Sequence, residues 1–143
     1  MRDRVKIVLG GKEYSLLPTM AVLDAFEDRY GSIGGHIQRL TAEQGLFTER
    51  AFLLWQGLMA DKDNSQKVAG KAMEFTLEAV KKQMFEAGLY HETLMRAEVE
   101  LIERLIYTPE QFAEKKRQRE AAQEEQAKML DALNNFSASQ SLT

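Results

Sequence analysis

The chain is expected to fold as an α+β protein, mostly α. An N-terminal β-hairpin should pack on a small helical bundle, and a long polar helix should follow at the C-terminal end. Three observations predict this. Residues 5–9 and 12–17 are short, roughly alternating runs on either side of Gly10-Gly11, the pattern of two strands joined by a tight turn. Between Met20 and Tyr107 the apolar residues recur three and four apart, which is helical spacing. From Glu114 to Lys128 the sequence reads E-K-K-R-Q-R-E-A-A-Q-E-E-Q-A-K, rich in helix formers but poor in anything a core would bury.

Each element has a local reason. Gly10 and Gly11 tolerate the positive φ that a two-residue hairpin turn requires. In the second strand Tyr14 and Leu16 share one face, with Glu13 and Ser15 on the other. A two-stranded ribbon is marginal alone, so its apolar face must lie on helices. Pro18 ends the strand, and Thr19 can cap a helix over residues 20–30 that Gly31 stops. Leu23, Phe26 and Tyr30 form that helix's expected buried face. A short amphipathic piece over residues 36–40 follows, with Ile33, Ile37 and Leu40 at helical spacing. Thr48 is the expected cap of a helix over residues 48–60, whose stripe is Phe52, Trp55 and Met59, with Leu54 and Leu58 beside it.

After the polar loop 61–65, Ser65 is expected to cap a helix over residues 66–87, ended by Gly88. Its stripe is Met73, Leu77, Val80 and Met84, with Phe75 and Phe85 flanking. A further helix over residues 91–107 carries Leu94, Leu101 and Leu105 beside Met95, Val99, Ile102 and Ile106. Thr108-Pro109-Glu110-Gln111 combines a cap, a proline at the first helical position and a capping-box glutamine. The expected organisation is therefore a hairpin-plus-helices domain over 1–107, a projecting polar helix over 108–136 and a disordered tail over 137–143. Charge pairs such as Glu124 with Lys128 should support the polar helix.

Composition narrows the function classes. The 143 residues contain no cysteine, which excludes a disulfide framework, thiolate metal ligation and thiol catalysis. The formal charge of −3 gives no global basic field for nucleic acid. Apolar runs are too short to span a bilayer, and residues 1–12 lack the h-region of a signal peptide. The expectation is a soluble intracellular protein.

The motifs that suggest chemistry fail on inspection. Gly10-Gly11-Lys12 is followed by Glu13, where a phosphate-binding loop needs a Ser or Thr hydroxyl, and by a strand where that loop needs a helix. Gly31-Ser32-Ile33-Gly34-Gly35 follows a helix, whereas a dinucleotide fingerprint follows a strand. His36 and His91 lack the spacing of a metal or acid–base motif. The carboxylates Asp24, Glu27 and Asp28 read as a solvated helix face. Lys115-Lys116-Arg117-Gln118-Arg119 is basic, but glutamates interleave with it and no aromatic accompanies it for stacking. No catalytic, cofactor-binding or metal-binding residue is assigned, and the expectation is a non-enzyme. Met129, Leu130, Leu133 and Phe136, with Phe112 at the helix start, form the best candidate partner-binding edge. Folding back on the domain, or pairing with a second copy in a homo-oligomer, are the alternatives for that edge.

Leu9, Gly11, Tyr14, Leu16, Pro18, Thr19, Glu27 and Gly31 together resemble the opening of a family of small tail proteins of phages, prophages and gene transfer agents. That family is described both as tail tube protein and as tail assembly chaperone. The later T-E-R-A-F-L-L-W-Q-G-L-M-A-D, with Gly57, resembles the family's next helix. The resemblance covers about the first 60 residues well and extends loosely to about 90. It implies a chaperone of virion morphogenesis, acting in the bacterial host cytoplasm without cofactor or membrane. Its partner would be the long helical tape-measure protein, or other tail proteins, kept soluble until the tube polymerises. The alternatives are a structural tube or connector component of the virion, and a nucleic-acid-binding regulator using residues 115–119.

Overall fold

The structure, a computed structural model, describes residues 2–44, 46–66 and 75–141. Strands β1 (Val5–Leu9) and β2 (Lys12–Leu16) pair antiparallel, with Val5 opposite Leu16 and Leu9 opposite Lys12. Gly10 and Gly11 close the turn at φ of 60° and 76°. Both central residues are thus left-handed, as the right-handed twist of a hairpin demands. Alternation then decides the faces. Val5, Ile7, Leu9, Tyr14 and Leu16 are all buried, and Lys6, Val8 and Glu13 are exposed.

The helices follow in the predicted order. Helix α1 (Met20–Tyr30) is capped by Thr19, whose side-chain oxygen accepts from the Val22 N–H at 3.2 Å. Val22 and Phe26 are its buried residues, with Leu23 and Tyr30 half-buried. Helix α2 (Ile33–Thr41) is longer than predicted, because Ser32 caps it through the Gly35 N–H and draws Ile33, Gly34 and Gly35 into the helix. Helix α3 (Phe47–Ala60) starts one residue before the expected cap Thr48. Leu46 occupies the cap position without a side-chain hydrogen bond. Of the predicted α3 stripe, Met59 is exposed and Leu53 takes a place in the core.

The helix expected over residues 66–87 is broken at residues 75 and 76, and its stretch 67–74 lies outside the described residues. Residues 62–66 form a 3₁₀ turn, and α4 begins only at Leu77 and runs to Ala87. Thr76, in extended conformation, is its cap and accepts from the Ala79 N–H at 3.0 Å. The preceding Phe75 carbonyl accepts from the Trp55 indole N–H at 2.6 Å, so residue 75 is tied to α3 outside any helix. Met73 lies outside the described residues. Val80, Met84 and Phe75 are buried, whereas Phe85, expected to flank the stripe, points outward. Helix α5 (Glu92–Ile106) is capped by His91 and buries Leu94, Ala97, Leu101, Ile102 and Leu105. Helix α6 (Pro109–Ser141) begins at the proline and stays helical to Ser141, past residue 137 where the sequence predicted a disordered tail.

The chain divides into two compact units, Met1–Thr108 and Pro109–Thr143. In the first, the apolar face of the hairpin rests on α3 and α5, with α4 beside β1. Gly57 permits the closest approach. A Cβ there would stand 3.1 Å from Leu16 Cδ2 and 3.3 Å from Leu101 Cδ2, and its carbonyl accepts from the Leu17 N–H at 3.1 Å. The outer edge of β2 is also held by a side chain. Asn64 accepts from the Ser15 N–H at 3.0 Å and donates to the Ser15 and Leu58 carbonyls at 2.7 and 2.9 Å. The Ser15 hydroxyl bonds Asp61, and Arg4 bridges Asp61 and Asp63 at 2.8 and 3.1 Å. An unpaired strand edge is thereby covered from within the chain. Among the described residues no helix is long and apolar enough to cross a membrane.

Candidate functional site

The apolar edge predicted on the last helix splits in two. Met129, Leu130, Leu133 and Phe136 are between 58% and 66% exposed. They stand at spacings of one, three and three, so they line one side of α6 over about two turns. Phe112, expected to belong to the same edge, is buried at 7% exposure. It also lies 17 positions before Met129, roughly 25 Å along the helix at 1.5 Å per residue. Phe112 therefore drops out of the exposed edge, which consists of the other four. Around them α6 is polar on every side, with Lys128 paired to Glu124 at 3.7 Å and Arg117 to Glu114. Such exposed pairs contribute little, so the four apolar side chains are the distinctive feature of this helix. The basic stretch 115–119 lies on the same helix with its glutamates interleaved, as the sequence predicted.

A second cluster carries no linear motif. His36 of α2, Glu49 and Arg50 of α3, and Glu98 of α5 are each at most 2% exposed. Glu98 receives Arg50 in a fork. Arg50 Nε donates to both carboxylate oxygens at 3.1 Å, and Nη2 donates to Oε2 at 2.9 Å. Arg50 Nη2 also donates to the Leu89 carbonyl at 2.6 Å, and the guanidinium lies 5.3 Å from the Tyr90 ring centroid. On the other side, His36 Nδ1 donates to Glu49 Oε1 at 3.1 Å, and Arg39 reaches the same oxygen from the surface. His36 Nε2 stands 3.6 Å from Glu98 Oε1 and makes no hydrogen bond. Phe26 packs edge-on to the imidazole at 4.9 Å.

A histidine between two carboxylates resembles an acid–base constellation in composition. Its burial argues otherwise: no substrate reaches an imidazole with no exposed surface, and both Glu98 oxygens are committed to Arg50. Among the described residues no group of His, Asp and Glu is arranged to hold a metal ion. The cluster ties α2, α3, α5 and the turn before α5 into one register. Satisfied by several hydrogen bonds, such a group fixes relative positions at a desolvation cost that hydrophobic packing would not incur.

The sequence did carry a signal for it. Glu98 falls in the row Leu94, Glu98, Leu101, Leu105, and His36 falls between Ile33 and Leu40. A charge on an apolar stripe requires a buried partner. The other sequence candidates are dispersed. Asp24, Glu27 and Asp28 stay on the solvated side of α1, where Glu27 accepts from the Ile33 N–H at 3.0 Å. His91 is a helix cap.

No protein-family model, curated protein or solved structure matches the chain. The geometry thus stands by itself: one exposed apolar edge on a long polar helix, and a helical unit clamped by buried charge.

Proposed function

We propose that this chain is a non-catalytic tail assembly chaperone, which binds a long helical tape-measure protein and keeps it soluble during tail morphogenesis in the bacterial host. The observation that carries the reading is the exposed edge Met129, Leu130, Leu133 and Phe136 on an otherwise polar 33-residue helix. Four large apolar side chains in water are unfavourable by about 1.5–3 kcal/mol each relative to burial. A partner helix with an apolar stripe recovers that energy on both sides, and the stripe loses its tendency to aggregate. The resemblance of the hairpin–Pro18–Thr19–helix opening to small phage and gene-transfer-agent tail proteins supports the same job. So does the sealed state of the cluster around His36, whose composition suggests chemistry.

The test is co-expression with, and capture of, a long helical protein encoded at the same locus as this chain. The native chain should retain it, and both truncation after Tyr107 and the double change Leu133→Glu with Phe136→Glu should lose it. Circular dichroism of the double variant must show an intact helical content. Retention undiminished by either change removes α6 from the mechanism. Recovery of this chain in purified tails would favour a structural component of the virion. Retention on DNA that falls steeply with salt would favour a nucleic-acid regulator.

A further inference from the structure

Beside the hairpin turn lies a cavity of about 270 Å³. Leu9, Tyr14, Phe75 and Val80 form its walls, all of them buried, and Tyr14 meets Phe75 edge-on at 5.0 Å. Among the described residues two polar side chains border it. Lys12 is exposed and shares the face of β2 with Tyr14, while Glu13 turns to the opposite face. Gln83 is half-buried, its carboxamide lying so close to the turn that a Cβ on Gly10 would stand 2.7 Å from its Oε1. Among the described residues neither Lys12 nor Gln83 makes a side-chain hydrogen bond or ion pair. The two acids of α4, Glu78 and Glu86, are engaged with Lys81 at 3.7 Å and Lys82 at 4.0 Å. Burial raises the Tyr14 phenol above its ordinary pKa, and none of the described residues lining the cavity is an acid.

Size and charge together select an occupant. The volume lies at the small end of the roughly 300–1,000 Å³ range of ligand sites, a size that one large side chain fills. Apolar walls with an uncommitted ammonium and amide at the rim complement an apolar group that carries a carboxylate beside it.

We infer that this cavity is an anchor pocket for a single bulky apolar side chain of a partner polypeptide, with an adjacent acidic residue received by Lys12 and Gln83. The inference rests on the reading of this chain as a polypeptide-binding protein, and it gives the first unit a contact of its own. An anchor of this kind dominates recognition because it is fully desolvated, whereas its rim charge adds selectivity.

The probe is the synthetic peptide Ac-Ala-Asp-Phe-Ala-NH2, titrated into the ¹⁵N-labelled full chain and followed by amide chemical shifts. Shifts should cluster at Lys12, Tyr14, Ala79 and Gln83. Replacing the peptide's Phe by Ala should abolish them. Replacing its Asp by Asn, or making Lys12→Glu in the protein, should weaken binding about two- to fivefold, the range of an exposed ion pair. Ala79→Leu, which fills the cavity, should abolish binding with the melting temperature unchanged or raised, and Lys6→Glu on the other strand should have no effect. The inference is overturned by shifts elsewhere, by equal binding of the Phe and Ala peptides, or by indifference to both Lys12→Glu and Ala79→Leu. Tighter binding of 4-phenylbutyrate than of the peptide would also overturn it, assigning the pocket to a small acid. None of these outcomes depends on capture of the tape-measure protein, so the two readings fail separately.

Discussion

Glu98→Ala is the sharpest perturbation of the fold. It removes the carboxylate that accepts three hydrogen bonds from Arg50. Among the described residues the guanidinium of Arg50, which is 1% exposed, then keeps the Leu89 carbonyl, the weakly accepting Met95 sulfur at 3.5 Å and the Tyr90 ring. Breaking a buried pair by removing one partner costs about 3–5 kcal/mol, because the remaining charge is neither solvated nor compensated. A domain's whole stability is about 5–15 kcal/mol. At about 4 °C per kcal/mol for a unit near 100 residues, the melting temperature should fall by roughly 12–20 °C. Arg50→Met with Glu98→Leu removes both charges and keeps the volume, so it should lie within about 2 kcal/mol of the native chain. The assay is urea and thermal unfolding, followed by circular dichroism, of the native chain, Glu98→Ala, the singles Arg50→Met and Glu98→Leu, and their double variant. A Glu98→Ala cost below about 1 kcal/mol, or a double variant as unstable as the sum of the singles, would refute the reasoning.

Three further outcomes follow from named contacts. Asn64→Ala leaves the Ser15 N–H and two carbonyls without their partner. It should cost about 2–4 kcal/mol in urea unfolding and increase amide exchange at Ser15. Gly57→Ala gains about 1 kcal/mol of helix propensity but drives a methyl into Leu16 and Leu101, a strain of about 1–3 kcal/mol. Unfolding should show a net loss that Leu16→Val relieves. The pKa of Tyr14 is raised above 10.0 by burial. In that window the unfolded chain releases the phenolic proton while the folded chain keeps it, so stability should fall as pH rises past about 10. Tyr14→Phe should flatten that fall in alkaline denaturation.

Local chemistry made much of the fold legible. Gly10-Gly11, Thr19, Gly88 and Pro109 mark turns and helix ends through interactions within a few residues of chain, and all four act as the sequence predicts. Where distant contacts decide, the sequence reading departs. Residues 66–87 look like one amphipathic helix, yet the bond from Trp55 to the Phe75 carbonyl holds residue 75 outside a helix and makes Thr76 the cap. Phe112 looks like part of an exposed edge because helical position alone does not report what covers a side chain. The buried cluster escaped because its members lie far apart in sequence: Arg50 and Glu98 are 48 residues apart. Each alone looks like surface. The positions of Glu98 within a leucine stripe and of His36 between Ile33 and Leu40 are the signals that betray it.

Co-expression with a long helical protein encoded at the same locus tests the proposed function most directly, by measuring that protein's soluble yield with and without this chain. The account predicts a soluble complex with this chain present, an insoluble tape measure without it, and finished tails that lack it. An unchanged soluble yield, with this chain retained in purified tails, would contradict it.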